Sequence, residues 1–312
     1  MQKTRVLSSV LAILLLAGCA KIIFVSERDG HPQIYRMQVN GSVQQNLSAN
    51  QYPERFPDAS PDGTKCAFSS VRDGVAENIF VMDIGNGNVQ QLTSGTKRKI
   101  RPRWSPQQDR VAYAEYPPGG NSAKIFIMPS SGNGSAIQVT APDQYHSDSL
   151  GHAFFENGTK IVFARARLVQ GGSQLYYKNA DGTGSAAVVP NTMAYAYYPV
   201  VSHNGSLLAY RVRGPNLAPG NPEWILVHKV ETWQKVAEFQ LQPPVPGLGP
   251  TIRGISFSRE DDRLYVAARS ADVSGGGNDR LEIFSIKLDG TDQKRLTDNQ
   301  AADYWPSAVP DP

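Results

Sequence analysis

Two cysteines in 312 residues, Cys19 and Cys66, exclude a disulfide-stapled scaffold and any four-cysteine zinc site. Charge of one sign is missing too. The formal net charge is +3, and it falls to +1 when Lys3 and Arg5 are set aside with the leader described below. Nucleic-acid binding normally needs a dense basic footprint, which this balance does not supply. Catalytic signatures are equally scarce. There is no G-x-S-x-G elbow and no H-E-x-x-H pair. Ser202 and His203 are neighbours in a turn, which does not set a base on a nucleophile. Gly182-Thr183-Gly184 is a hairpin turn with no helix after it, so it is no phosphate loop.

Turn formers, by contrast, are plentiful. With 28 Gly and 22 Pro and little helix punctuation, the composition leans to all-β structure. The organising stretch is Phe56-Pro57, a spacer, Ser60-Pro61-Asp62-Gly63 and then Cys66-Ala67-Phe68. Proline fixes one turn corner, and Asp-Gly accepts the positive φ that ends a tight hairpin. Copies of this turn begin at Ser105, Phe155, Ser202, Ser258 and Val309, at intervals of 45, 50, 47, 56 and 51 residues. A period of about 50 belongs to propeller blades.

Each turn is followed by a second strand such as Cys66-Ala67-Phe68 or Val111-Ala112-Tyr113. A third strand opens on an aliphatic-aromatic step such as Ile79-Phe80 or Ile283-Phe284, and a fourth follows a glycine turn, as in Val89 to Thr93. The N-terminus carries strands two to four of this pattern (Ile22-Ile23-Phe24, Ile34 to Met37, Val43 to Leu47), and Tyr304 to Ala308 supplies the missing first strand. The expectation is an all-β, six-bladed β-propeller of four-stranded antiparallel blades, its ring closed by pairing of the N- and C-terminal strands so that no sheet edge stays free.

Pro57 to Gly63, Pro102-Arg103-Trp104-Ser105-Pro106 and Ile79-Phe80-Val81-Met82-Asp83 resemble the repeat of the TolB-like β-propeller family, which reads approximately D-x-x-P-x-W-S-P-D-G followed by I-A-F and I-Y-V-M-D. The resemblance covers nearly all of the chain after Cys19. It implies an envelope-integrity role with a peptidoglycan-associated protein as partner. The family's namesake carries a domain ahead of its propeller, whereas here the first strand starts about three residues after Cys19.

Met1 to Arg5 is basic, Val6 to Leu16 is apolar but too short to span a bilayer, and Leu16-Ala17-Gly18-Cys19 follows. That tetrad resembles the lipobox of bacterial lipoproteins, with lipidation at Cys19 and an acyl anchor as the result. Ala20, in place of Asp, favours sorting to the periplasmic face of the outer membrane. The expected organisation is a signal peptide over 1–18, a lipidated tether over 19–21 and a single propeller over 22–312. Cys66 sits in an apolar strand and reads as a small buried hydrophobe.

Turns between strands one and two and between three and four share one face of a propeller, and here they are short: Asn40-Gly41, Ser60 to Gly63, Asp181-Gly182, Asp289-Gly290. The opposite connections vary: Gly95 to Arg101, Pro117 to Ser122, Gly214 to Pro222, Gln242 to Pro250, Asp272 to Asn278. Elaborated loops on a rigid scaffold point to the functional face. Cys19 precedes a second strand, so the tether leaves from the short-turn face and the long loops point away from the membrane.

On the long-loop face Lys97, Arg98, Lys99, Arg101 and Arg103 form a basic run that could focus an acidic partner. The plainer reading is a solvated loop with Arg103 paired to Asp58 one blade earlier. Tyr195 and Tyr197 share a face of an extended segment, with Tyr198 opposite; they would stack on sugars or peptides, or else pack between blades. His146 and His152 with Asp143 and Asp148 match no zinc spacing, so no metal and no cofactor are expected. The reading is a non-catalytic, monomeric, membrane-anchored propeller binding an envelope protein or polymer. The alternative is a lyase or hydrolase acting on an acidic saccharide at the channel mouth, with His146, His152 and the basic run as first suspects.

Overall fold

A computed structural model of the chain describes residues 20–169, 171–213, 223–241, 252–269 and 281–309. The leader, Cys19, the loops at 214–222, 242–250 and 272–278, and the end of the Val309 turn lie outside the described residues. Six antiparallel sheets stand as six blades. Blade one joins Asp303–Val309 to Lys21–Ser26, Gln33–Gln38 and Gln45–Asn46. Lys21 faces Val309 and Ile22 faces Ala308, so the two ends of the chain close the ring. Blade two is Glu54–Ala59, Lys65–Ser70, Asn78–Asp83 and Val89–Gln91, and blade three is Lys99–Trp104, Arg110–Glu115, Lys124–Pro129 and Ile137–Gln138. In blade four the inner strand is split into His146–Ser147 and His152–Phe155, before Lys160–Arg167, Ser173–Asn179 and Ala187–Val188. Blades five and six begin at Ala196–Val201 and Ile252–Phe257.

The second strand of each blade is apolar on both faces because a blade is covered on both sides by its neighbours. Lys21–Ser26 and Lys65–Ser70 are buried at every residue but the first. The core accordingly divides into clusters between successive blades. Ile23, Ile34, Cys66, Phe68, Phe80, Met82 and Val309 pack blade one on blade two, and Ile22, Phe24, Met37, Tyr265 and Ile283 pack blade one on blade six. Burial pushes the Cys66 thiol far up, so it stays a protonated hydrophobe.

The repeated turn owes its form to its serine. Ser60 Oγ accepts from the Lys65 amide at 2.9 Å and donates to Asp62 at 2.6 Å, while Gly63 closes the turn on Ser60 O at φ 71°. Ser105, Ser202 and Ser258 do the same in their blades.

A second repeated device is an arginine at the end of strand two. It pairs with an acid on strand one and lies over two aromatic rings: Arg72 with Glu54 over Phe68 and Phe80, Arg28 with Asp303 over Phe24 and Tyr35, Arg165 with Asp148 over Phe163 and Tyr176. Blade three inverts it, with Lys99 on strand one and Glu115 on strand two.

Candidate functional site

The inner strands face the central channel, and in four of them the ladder breaks at the same place. Arg55 pairs with Ser69 and Asp58 with Ala67, which leaves Phe56 and Pro57 together opposite Phe68. Equivalent breaks fall at Arg101-Pro102, Tyr198-Pro199 and Trp305-Pro306. Proline has no N–H for the ladder, so it occurs in sheets at bulges. The residue ahead of it is thrown into the left-handed region: φ is 56° at Phe56, 58° at Arg101, 52° at Tyr198 and 52° at Trp305. Bulky side chains rarely adopt that conformation, and each costs about 1–3 kcal/mol. Gly151 and Gly254 occupy the place in blades four and six. A Cβ on Gly151 would come within 2.8 Å of the Tyr198 Cα, and one on Gly254 equally close to the Trp305 Cα.

The four side chains converge. The Phe56 and Trp305 rings lie 3.7 Å apart between centroids, and the Arg101 guanidinium sits over Phe56 at 4.4 Å and, across the gap left by Gly151, over Tyr198 at 4.9 Å. They form a waist between the inner strands, and a small cavity of about 20 Å³ lies among Phe56, Arg101, Arg103, Gly254 and Trp305, room for roughly one water. A recess of about 310 Å³ opens toward the short turns, lined by Asp58, Arg103, His203, Ser256 and Ser307. On the long-loop side a wider hollow of about 780 Å³ is walled by Glu27, Arg28, Arg253, Asn299, Tyr304 and Trp305.

The waist is positively charged. Among the described residues Arg101 pairs with no carboxylate, its Nε is enclosed without an acceptor, and burial pushes its pKa down, partly offset by Tyr198 and Tyr116. Arg211 lies over Tyr197 at 4.5 Å and Tyr198 at 4.9 Å, and donates to Ile252 O at 2.6 Å. Burial alone would raise the Tyr198 phenol; the guanidiniums of Arg101, Arg211 and Arg253 outweigh it and the net direction is down.

The rest of the basic run goes elsewhere. Lys97 pairs with Glu115 at 2.9 Å, and Arg98 pairs with Glu77 over the Tyr116 ring. Lys99 is buried and donates to Ser94 O at 2.9 Å and Lys97 O at 3.0 Å. Arg103 holds Asp58 at 2.6 Å, and the same carboxylate accepts the Trp104 amide at 2.8 Å, so the pair clamps blade three to blade two. Tyr197 is buried beneath Arg211, and the Tyr195 ring packs over Gly172. Tyr198, which strict alternation turns away, is the tyrosine that reaches the waist, because the bulge resets the alternation. His146 hydrogen-bonds Asp143 at 2.6 Å near the surface, while His152 is sealed at 1 % exposure. Neither His152 ring nitrogen makes a well-formed hydrogen bond, although the Ala112 backbone is near. Among the described residues no group of three His, Cys, Asp or Glu side chains is placed to hold a metal ion.

Sequence reasoning did not choose Phe56, Tyr198 or Trp305 as site residues, although it read Phe56 as part of the repeated turn and set Tyr198 opposite Tyr195 and Tyr197. Their signal was the residue before proline in each repeat: Phe56-Pro57, Arg101-Pro102, Tyr198-Pro199, Trp305-Pro306.

No family model matches the chain. An uncharacterized protein of Agrobacterium fabrum is 35% identical over 107 residues, covering 31% of this chain and 36% of that protein. The Tol-Pal system protein TolB of Francisella tularensis is 35% identical over 123 residues, covering 38% of this chain and 28% of its own length. The chain thus spans about a third of the length of the curated relatives it matches. TolB from Acinetobacter baumannii shares the fold with a TM-score of 0.71 at 18% identity, over 93% of this chain and 67% of that one.

Proposed function

We propose that this chain, a TolB-like β-propeller, is a non-catalytic periplasmic binding protein. Lipid on Cys19 would anchor it to the outer membrane, and it would present its long-loop face to an envelope protein. The observation that carries this is the waist. Phe56, Arg101, Tyr198 and Trp305 pack against one another between the inner strands, and a broad, open hollow lies on the long-loop side in place of a closed reaction chamber. The side chains a lyase or hydrolase would need are dispersed: His146 pairs with Asp143 near the surface, His152 is sealed, and Lys97, Arg98, Lys99 and Arg103 are spent on ion pairs.

The start of the chain supports the orientation. Ala20 O accepts from the Val39 amide beside the Asn40-Gly41 turn, so the tether leaves from the short-turn face. A photo-reactive residue in place of Gln300, on the hollow, is expected to give a discrete protein adduct in intact envelopes, and one in place of Asp62 none. Adducts from Asp62 alone would refute the assignment of the working face. Cys19→Ser is expected to lose incorporation of a fatty-acid label and to leave the membrane fraction; retained label would refute the anchor.

A further inference from the structure

We propose that Asn133 is a site of spontaneous covalent modification: its side chain cyclises onto the Gly134 nitrogen and reopens as aspartate or isoaspartate, while the turns of the fold hold back the chain's other Asn-Gly pairs. Asn133 lies between a third and a fourth strand, on the short-turn face, so its chemistry is independent of the binding role proposed above.

The reaction needs only the chain and water. The Gly134 amide gives up its proton and its nitrogen attacks Asn133 Cγ. A C–N bond forms, the Cγ–Nδ2 bond breaks, and the side-chain nitrogen takes up a proton and leaves as ammonia. Water then opens the five-membered succinimide. Cleavage of the new bond gives aspartate, and cleavage of the old peptide bond gives isoaspartate. Nothing is oxidised or reduced. Glycine in the following position favours the step because no Cβ obstructs the attack.

Five Asn-Gly pairs begin at Asn40, Asn86, Asn133, Asn157 and Asn204. Four of them are restrained. The Gly41 amide donates to Gln38 O at 2.9 Å, Gly87 to Asp83 O at 2.9 Å, Gly158 to Phe155 O at 3.0 Å and Gly205 to Ser202 O at 2.9 Å. Such a bond must break before the nitrogen can turn on the side chain, and its net worth lowers the reactive fraction about fivefold or more. Asn40, Asn86 and Asn204 are held a second time, because each Oδ1 accepts the amide two residues on, at 3.0, 2.9 and 2.8 Å. The glycines of the Asp-Gly pairs, Gly30, Gly63, Gly74, Gly182 and Gly290, also donate to turn carbonyls. Gly134 breaks the pattern. Among the described residues neither its N–H nor the Asn133 side chain has a hydrogen-bond partner.

The cause is where this turn closes. Gly132, one residue ahead of Asn133, donates to Pro129 O at 3.1 Å and takes the part that the glycine of the Asn-Gly pair plays elsewhere. The turn is anchored up to that point: Ser130 donates from its amide to Asp109 O at 2.8 Å and from Oγ to Gln108 O at 2.6 Å, and Gln90 Nε2 donates to Ser131 O at 3.1 Å. Beyond it the chain is exposed from Asn133 to Gln138. The Asn133 amide has only Ser131 Oγ, at 3.3 Å, and Gly134 sits at φ 120°.

The test is to incubate the whole mature chain in mildly alkaline buffer, folded and in concentrated urea. Conversion at each asparagine is followed by peptide mapping with tandem mass spectrometry, and isoaspartate by enzymatic carboxyl methylation. In the folded chain Asn133 should convert about fivefold or more faster than each of the other four, with isoaspartate confined to position 133. In urea the five rates should converge, because the turns that separate them are gone. Asn133→Gln, an exposed change that keeps the amide and lengthens the side chain, should abolish the acidic form that the folded wild type accumulates. Equal conversion at any of the other four pairs in the folded chain, an unreactive Asn133 there, or an undiminished acidic form in Asn133→Gln would overturn the proposal.

Discussion

His152 gives the sharpest test of the packing around the channel. It occupies the place taken by Pro57, Pro102, Pro199 and Pro306 in other blades, is 1 % exposed, and has no well-formed hydrogen bond at either ring nitrogen. Burial pushes its pKa down to about 3, and Arg103 and Arg101 push the same way. The unfolded chain would protonate this side chain near pH 6.5, while the folded chain keeps it neutral until about pH 3. Across that window the unfolded state binds the extra proton, so stability falls as pH falls. Each pH unit below 6.5 costs about 1.4 kcal/mol, or about 3 kcal/mol by pH 4.5. For a domain of this size that corresponds to roughly 6–12 °C in Tm. Other groups titrate in the same range. Glu223, Glu282 and Asp303 are raised by burial, while Asp261, whose burial is outweighed by hydrogen bonds from His203 and Asn204, is lowered. The informative quantity is therefore the difference between wild type and His152→Leu, in which those contributions cancel. Urea unfolding at a series of pH values should show the variant gaining about 3 kcal/mol on the wild type between pH 7.5 and 4.5. Parallel stability curves for the two proteins would mean that His152 is protonated in the folded state, and the account of its surroundings would fall.

Within the basic run, Lys97→Ala should change unfolding free energy by less than about 1 kcal/mol, since its pair with Glu115 is exposed on the lysine side. Lys99→Ala, which strips a buried ammonium from two carbonyls and exposes the inversion of charge in blade three, should cost about 2–4 kcal/mol; equal effects of the two changes would contradict the geometry. Asp58→Ala should cost about 2–3 kcal/mol by releasing both Arg103 and the Trp104 amide, and a double-mutant cycle with Arg103→Ala should show strong coupling. Gly151→Val, at φ 109° and with its Cβ 2.8 Å from the Tyr198 Cα, should cost about 3 kcal/mol or more; a melting temperature close to wild type would show that the ring of bulges is looser than described.

The blade count, the strand succession and the closure of the ring were legible in the sequence because they follow from local chemistry repeated at a fixed interval. Ser-Pro-Asp-Gly turns set each hairpin, and apolar second strands such as Ile22-Ile23-Phe24 fit only where both faces are covered. The pairing of Arg103 with Asp58 was legible as well, since the two occupy matching positions in successive repeats. The fate of the basic run as a whole was not legible. Whether a cation is free depends on which acid the next strand or blade brings to it, and Glu77, Glu115 and Asp58 reach it only through tertiary packing. The waist was hidden for a different reason. Period-two alternation assigns Tyr198 to the far side of its strand, but the proline after it forces an extra residue into the ladder and moves everything beyond by one position. The sequence alone determined the repeat, because turns and strand pairs are short-range objects. Only the tertiary structure decided what lies on the axis, because that depends on six strands from distant parts of the chain meeting in a ring, where two glycines leave the space that Phe56, Arg101, Tyr198 and Trp305 fill.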